Sequence, residues 1–199
     1  KVSIIIPSYN NALLLIRTIE SLINQTYENW EAIIVDNSST DNTEYVVNHF
    51  NDNRLNFYTV KNNGIIAFSR NYGIKKSKAD ILAFLDSDDW WCSDKLEISL
   101  KYLTKYDFVY HDLYIKYQDV ESINKKSKSK NLYFNSFKQL LINGNCIPNS
   151  SVVVKKSKIK EIGYIDESVE KYSWEDYDAW LKLAQINIKF KRISKVLGY

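Results

Sequence analysis

Residues 83–91 read AFLDSDDWW, an apolar run that ends in Asp86, Asp88 and Asp89 and passes at once into Trp90 and Trp91. Carboxylates this close repel one another, and the penalty is lifted by water or by a nearby cation. One reading is a solvated turn in which Asp88 or Asp89 caps the next helix. The other is the rim of a buried strand where a divalent ion sits among the acids. The apolar run before them and the two indoles after them favour the second.

Working outward, the strand at Asp80–Leu85 is the fourth in a series. Val2–Ile6 is a β-rich run closed by Pro7, and a helix follows from about Asn11 to Gln25, with Leu15, Ile16, Ile19, Leu22 and Ile23 on one face. Ala32–Val35 is the second strand, ending at Asp36. Thr40 or Asp41, with Glu44 beyond, starts the next helix. Leu55–Val60 is a strand, Ile66–Lys76 a helix, Ser93 caps a helix to about Lys105, and Phe108–Ile115 returns as a strand. In the second half, NKKSKSKN (124–131) is a polar loop, Phe134–Leu141 is helical, and Ser151–Val154 is strand-like. Glu175–Ala184 is a helix with Tyr177, Trp180, Leu181 and Ala184 on one face. There is no internal repeat.

Strand and helix alternate through the first ~115 residues, which implies right-handed βαβ units and an α/β fold, a Rossmann-like, mostly parallel central sheet flanked by helices. Ligands of such sheets bind beyond the carboxyl ends of the strands. Four of those ends carry polar stretches: PSYNN (7–11), DNSSTDN (36–42), KNNG (61–64) and DSDDWW (86–91). They are expected to converge on one rim.

Composition sets the outer limits. The 199 residues are 45% hydrophobic, enough for one core. With 27 basic and 24 acidic residues the net charge is +3, which gives no argument for a nucleic-acid partner. Cys92 and Cys146 fit no metal-binding spacing, and a reducing cytoplasm suits them. No apolar run approaches the ~20 residues of a membrane span. Without methionine, and opening directly on strand-like sequence, the chain reads as a piece of a longer one. The lysines Lys125, Lys126, Lys128 and Lys130 read as a solvated loop, with anionic lipid or an acidic acceptor as the alternative partner.

The rim has no glycine cradle for phosphate: neither G-x-G-x-x-G nor G-x-x-x-x-G-K-[ST] occurs. A nucleotide here needs another source of positive charge. Asp86, Asp88 and Asp89 are hard oxygen ligands suited to Mg²⁺ or Mn²⁺, which bind through one or two carboxylates plus substrate phosphates. Trp90 and Trp91 offer faces on which sugar rings stack, or else they pack in the core. In SWEDYDAW (173–180), Ser173 with Asp176 resembles a capping box, but Glu175, Asp176 and Asp178 exceed what capping needs. An ionised carboxylate there can serve as a general base.

Taken together, VSIIIPSYNN (2–11), WEAIIVDNSSTDNT (30–43), FSRNYGIKKSKADILAFLDSDDWW (68–91) and WEDYDAWLKLA (174–184) resemble, in order and spacing, the family-two nucleotide-sugar glycosyltransferases of the GT-A fold. The likeness is strong over residues 2–93, patchy over 115–165 and clear again at 174–184. It implies a metal-dependent, inverting hexosyl transfer from a nucleoside-diphosphate sugar, usually a UDP-sugar, to an acceptor hydroxyl. The implied setting is bacterial surface-glycan assembly, with a glycan or lipid-linked glycan as acceptor, in the cytoplasm or peripherally at the inner face of the membrane. It divides the domain into a donor-binding half, 1–115, and a smaller C-terminal acceptor-binding half, 116–199, with the chain cut short after Tyr199.

Residue by residue, the resemblance gives Pro7, Ser8 and Tyr9 to the base and ribose, and Asp36 to a hydrogen bond from the base. Arg70 goes to the nucleotide, with Ser69 where alanine is usual. Asp86 and Asp88, with Ser87 between them, form the D-x-D element, the first near the ribose and the second on Mn²⁺ or Mg²⁺. Asp89 goes to the metal or the donor sugar. Asp176 is the base, with Glu175 as its supporter or as an acceptor contact. Trp90, Trp91, Asn149 and Trp174 shape the acceptor pocket. Lys182 stands where the family often has arginine, and no Q-x-x-R-W motif occurs, which speaks against a processive synthase. Two alternatives stay open. One is a relative that binds nucleotide or glycan without transfer. The other is an aspartate-nucleophile phosphotransferase resembling haloacid-dehalogenase-like enzymes, whose motif closes the first strand rather than the fourth.

Overall fold

Val2–Ser8 (β1) and Trp30–Asp36 (β2) are buried along their whole length in the computed structural model, which describes residues 1–116, 125–133, 135–168 and 174–199. Such continuous burial is what strands need when helices cover both faces of a sheet. β1 pairs in parallel with β2 on one side and with Ile81–Phe84 (β4) on the other, and β2 pairs in parallel with Leu55–Thr59 (β3). Pro7 does not close the first strand, because Pro7 and Ser8 continue it opposite Val35 and Asp36. The pairing with β4 ends at Ile5–Phe84, so the ring of Pro7 removes no ladder hydrogen bond.

The connections are helical: Ala12–Ile23 (α1), Thr43–His49 (α2), Ile66–Lys76 (α3) and Lys95–Leu103 (α4). α3 has the expected limits. α4 starts after Asp94 rather than at Ser93, and Asp94 caps nothing, since its carboxylate is paired with Lys195 at 2.7 Å. At α2 the carboxylate of Asp41 accepts from the Thr43 N–H at 3.1 Å, taking one of the donors that a helix start leaves free.

The sheet departs from simple alternation in its second half. Phe108–Asp112 (β5) does not lie beside β4. Val153–Lys155 (β6) inserts between them, antiparallel to both, and Phe190–Val196 (β7) closes the edge parallel to β5. The order is β3-β2-β1-β4-β6-β5-β7, so strands from both halves of the chain share one sheet. The remaining helices are Ser136–Asn143 (α5), Lys156–Glu161 (α6) and Glu175–Gln185 (α7). Asn135 caps α5 through the Lys138 N–H at 3.0 Å. Phe134 and the capping box proposed at Ser173 lie outside the described residues.

Two apolar layers flank the sheet, divided by the two-residue alternation of the strands. Ile5, Leu82 and Phe84 face α3 and α7, meeting Ala67, Ile74, Trp180 and Leu183. Ile4, Ile6 and Ala83 face the opposite layer, with Leu15, Ile19 and Leu96. Gly73 lets α3 approach β1 closely: a Cβ there would meet Ile5 Cγ2 at 2.9 Å. That contact holds α3, and Arg70 upon it, against the end of the sheet.

Candidate active site

All four polar strand ends meet at one cavity of about 390 Å³. Pro7, Ser8, Tyr9 and Asn11 come from the end of β1, Asn37 from β2, Asn62 and Gly64 from the loop after β3, and Asp86, Ser87 and Asp88 from β4. The turns use left-handed backbone at Asn10, Ser38, Asn63 and Gly64, a conformation that asparagine and glycine tolerate best.

Asparagine side chains fasten these loops to one another. Asn10 Oδ1 accepts from the Thr40 N–H at 2.8 Å, Asn37 Oδ1 from the Asn62 N–H at 2.9 Å, and Asn11 Nδ2 donates to Ser87 Oγ at 2.8 Å. Asn11, Asn37 and Asn62 lie in stretches expected at the rim, but the sequence gives them no individual role. The doubled asparagines of YNN and KNNG carry the signal for Asn11 and Asn62, and the DNSSTDN stretch carries it for Asn37. Asp36 is 3% exposed and does not line the cavity, contrary to a direct hydrogen bond with a base in this conformation. Its carboxylate accepts from the Ser39 N–H at 2.7 Å and the Ser39 hydroxyl at 2.5 Å, which shapes the loop.

Of the three acids after β4, each has a different environment. Asp86 Oδ1 accepts from Arg70 Nη2 and from Asn149 Nδ2, both at 3.0 Å, and its N–H donates to Ser150 Oγ at 3.0 Å. Asp88 projects into solvent at the cavity mouth. Burial pushes Asp89 up to about 7; the Ser150 hydroxyl opposes this and the charges of Asp86 and Asp88 add to it. Among the described residues no three His, Cys, Asp or Glu side chains converge into a metal cage, so the proposed three-carboxylate ligand set is not preformed. The donor set still suits a hard cation: an open carboxylate at Asp88, the second oxygen of Asp86, and room in the cavity for phosphate oxygens. Asn149, expected at the acceptor, instead supports Asp86 from a buried position.

Arg70 is likewise not exposed to the cavity. It is 3% exposed and bridges two elements, one amino group on Asp86 and the other on Glu175 at the start of α7. The D-x-D loop and the WEDYDAW helix are thereby locked together. Next to this pair, burial pushes Asp176 up to about 6 although the Arg70 charge opposes the shift. Asn145 Nδ2 reaches both of its oxygens, at 3.2 and 3.3 Å. Asp176 lines a second cavity of about 350 Å³ together with Lys128, Lys130, Asn145 and Pro148. Lys182 binds Asp178 at 2.7 Å and Asp166 at 3.2 Å.

The two tryptophans separate. Trp91 is a core residue rather than an acceptor contact: it is 4% exposed, its Nε1 donates to the Ser150 carbonyl at 2.7 Å, and Lys95 Nζ sits 3.4 Å from its ring centre. Trp90 is half-buried, stacked on Tyr199 at 4.9 Å with the Arg17 guanidinium 4.4 Å from its centre. It lines a third cavity of about 580 Å³ that shares Asp88 with the first and Pro148 with the second. Backbone bonds between Trp90 and Tyr199, at 2.8 and 3.2 Å, hold the chain end against the acid loop. Trp174, half exposed, stands at the start of α7.

The chain is similar to known proteins. The sequence model described as Glycosyl transferase family 2 matches residues 3–163. The Escherichia coli UDP-Glc:alpha-D-GlcNAc-diphosphoundecaprenol beta-1,3-glucosyltransferase WfaP is 33% identical over 204 residues, covering 100% of this chain and 76% of that protein. An uncharacterized glycosyltransferase of Rickettsia bellii is 40% identical over 139 residues, which is 67% of this chain and 20% of its own length, so the chain spans about a fifth of that relative. The crystal structure of S. aureus TarS 1–349 in complex with UDP superposes with a TM-score of 0.81 at 21% identity, covering 100% of this chain and 60% of the other, a likeness of fold. With one family matched across most of its length and a seven-stranded α/β sheet of the GT-A type, the chain belongs to glycosyl transferase family 2.

Proposed function

We propose that this chain carries the catalytic unit of a metal-dependent, inverting glycosyltransferase that moves a sugar from a UDP-sugar to an acceptor hydroxyl during bacterial surface-glycan assembly. The observation that carries the reading is the bridge from Asp86 through Arg70 to Glu175, because it fixes a nucleotide-sized cavity beside a candidate base. The relative WfaP is named for a UDP-glucose donor and a lipid-diphosphate acceptor, and TarS was crystallised with UDP. Both support a UDP-sugar here, and the name of WfaP supports a lipid-linked glycan as acceptor.

In this reading residues 1–115 hold the donor and 116–199 the acceptor, on one sheet. Pro7, Ser8 and Tyr9 take the nucleoside, and Asp88 with Asp86 would hold Mn²⁺ or Mg²⁺. When bound, that ion supplies the positive charge that the departing diphosphate requires. Arg70 positions the loop and adds its own charge behind Asp86. Asp176 removes the acceptor proton as the acceptor oxygen attacks the anomeric carbon from the face opposite the leaving group. Asn145 orients that carboxylate, and a value near 6 leaves it ionised at neutral pH yet basic enough to accept a proton.

The test is turnover with a panel of UDP-sugars and a GlcNAc-diphosphate lipid analogue. UDP release and a glycosylated product that both require Mn²⁺ or Mg²⁺ support the reading. No product with any donor, alongside tight UDP binding, would favour a binding module instead.

A further inference from the structure

We propose that the surface formed by residues 125–133 and α5 docks the protein on an anionic phospholipid bilayer. Between positions 125 and 148 the sequence holds Lys125, Lys126, Lys128, Lys130 and Lys138 and no acidic residue, in a chain whose charges otherwise nearly balance. All five lysines are exposed, and none makes an ion pair among the described residues.

Apolar side chains stand among them. Of the eight large hydrophobic residues exposed among the described residues, four belong here: Tyr133, Leu141, Ile142 and Trp174. On α5, Leu140 points into the core while Lys138, Leu141 and Ile142, spaced three and four apart, share the outer face. Leu141 is 55% and Ile142 71% exposed. Tyr133 is held to the helix through its N–H on Gln139 Oε1 at 2.8 Å. Trp174 joins through Tyr177, its ring 5.8 Å away, whose hydroxyl donates to the Leu140 carbonyl at 2.9 Å.

Aliphatic and amphipathic aromatic side chains interleaved with lysines match a headgroup boundary, where rings and methyl groups sink in and ammonium groups meet lipid phosphates. An acidic polymer would neutralise the lysines but leave Leu141 and Ile142 in water. The placement also has a use, which rests on the proposed transfer reaction: the cavity of Asp176 is lined by Lys128 and Lys130 and opens on this side, so a lipid-anchored acceptor would meet the base at the membrane.

Binding to vesicles without donor or acceptor tests the surface independently of catalysis. The chain is sedimented with phosphatidylcholine vesicles, with and without about a third phosphatidylglycerol, at low salt and at about 0.5 M salt. Expected are capture by the anionic vesicles alone, partial release by salt, and about tenfold weaker capture for Leu141→Asp/Ile142→Asp and for Lys125→Gln/Lys126→Gln/Lys138→Gln. Both variants should unfold at the wild-type temperature and turn over a water-soluble acceptor normally. Equal binding to neutral and anionic vesicles, no binding, or unchanged binding by Leu141→Asp/Ile142→Asp overturns the proposal. So does capture by a soluble acidic polysaccharide in place of vesicles. Vesicle capture by a chain that transfers no sugar would instead count against the transferase reading while leaving the docking surface intact.

Discussion

Arg70 and Glu175 lie 105 positions apart and form a buried ion pair, each under 5% exposed, in which Arg70 also reaches Asp86 at 3.0 Å. One guanidinium thus ties the acid loop after β4 to the first turn of α7. Removing one member of a buried pair strands the other charge at a cost of about 3–5 kcal/mol. Arg70→Met is therefore expected to lower the unfolding free energy from denaturant titration by that amount, and Arg70→Lys, which cannot span both carboxylates, to lose part of it. A stability for Arg70→Met within about 1 kcal/mol of wild type would show that the bridge does not hold the site together.

Asp176→Asn should separate catalysis from stability. Transfer is expected to fall ~10²–10⁴-fold while UDP binding stays near wild type. The folded value near 6 lies above the ordinary 3.8, so the native state holds its proton where the unfolded chain has lost it. Stability contributed by this group therefore falls as pH rises from about 3.8 to 6, and the penalty is complete above that. The asparagine variant escapes it and should be more stable at pH 8, by on the order of 1 kcal/mol, and so melt higher. The gain should vanish near pH 4. Melting curves at both pH values, with UDP titrations, check the pair of outcomes.

Asp88→Ala is expected to leave the ligand-free protein within ±0.5 kcal/mol of wild type, since the side chain is exposed and makes no bond among the described residues. Wild type should melt higher when UDP and Mn²⁺ are added together than with either alone. The variant should lose that joint effect, and a full shift retained by Asp88→Ala would move the metal elsewhere.

Lys95 is fully buried beneath Trp91, and its Nζ has no hydrogen-bond partner among the described residues. Burial alone drives its value well below 10.5. The unfolded chain then binds a proton the native state lacks, so this penalty is largest at low pH and disappears as pH approaches 10.5. Lys95→Met should stabilise the protein at pH 7 by about 1–3 kcal/mol, with the gain shrinking in alkali. A loss of stability at pH 7 would mean that the ammonium–indole contact outweighs the desolvation cost.

Much of this architecture is legible in the sequence. The rim of the first cavity shows because each apolar strand run ends in residues that favour turns, and the limits of α3 show in its boundaries at Ile66 and Lys76. The position of β6 between β4 and β5 does not show: periodicity marks VVVK as a strand without saying which neighbours it takes. The adjacent indoles of Trp90 and Trp91 look equivalent in sequence, yet one is half-buried against Tyr199 and the other lies in the core. The resemblance gives Arg70 to the nucleotide, but its reach to Glu175 is a long-range contact with no local signature. Asp36 was expected on the base, whereas Ser39, three residues on, claims its oxygens.

The central claim is that acids at the carboxyl ends of a parallel sheet hold a cation which in turn holds the donor diphosphate. A crystal structure of the chain soaked with UDP and Mn²⁺ tests it most directly. The expected density places the uridine beside Tyr9 and a single ion between an Asp88 oxygen and the diphosphate. UDP bound in that cavity with Asp88 turned away and no ion beside the phosphates, or UDP bound elsewhere on the protein, would contradict the account.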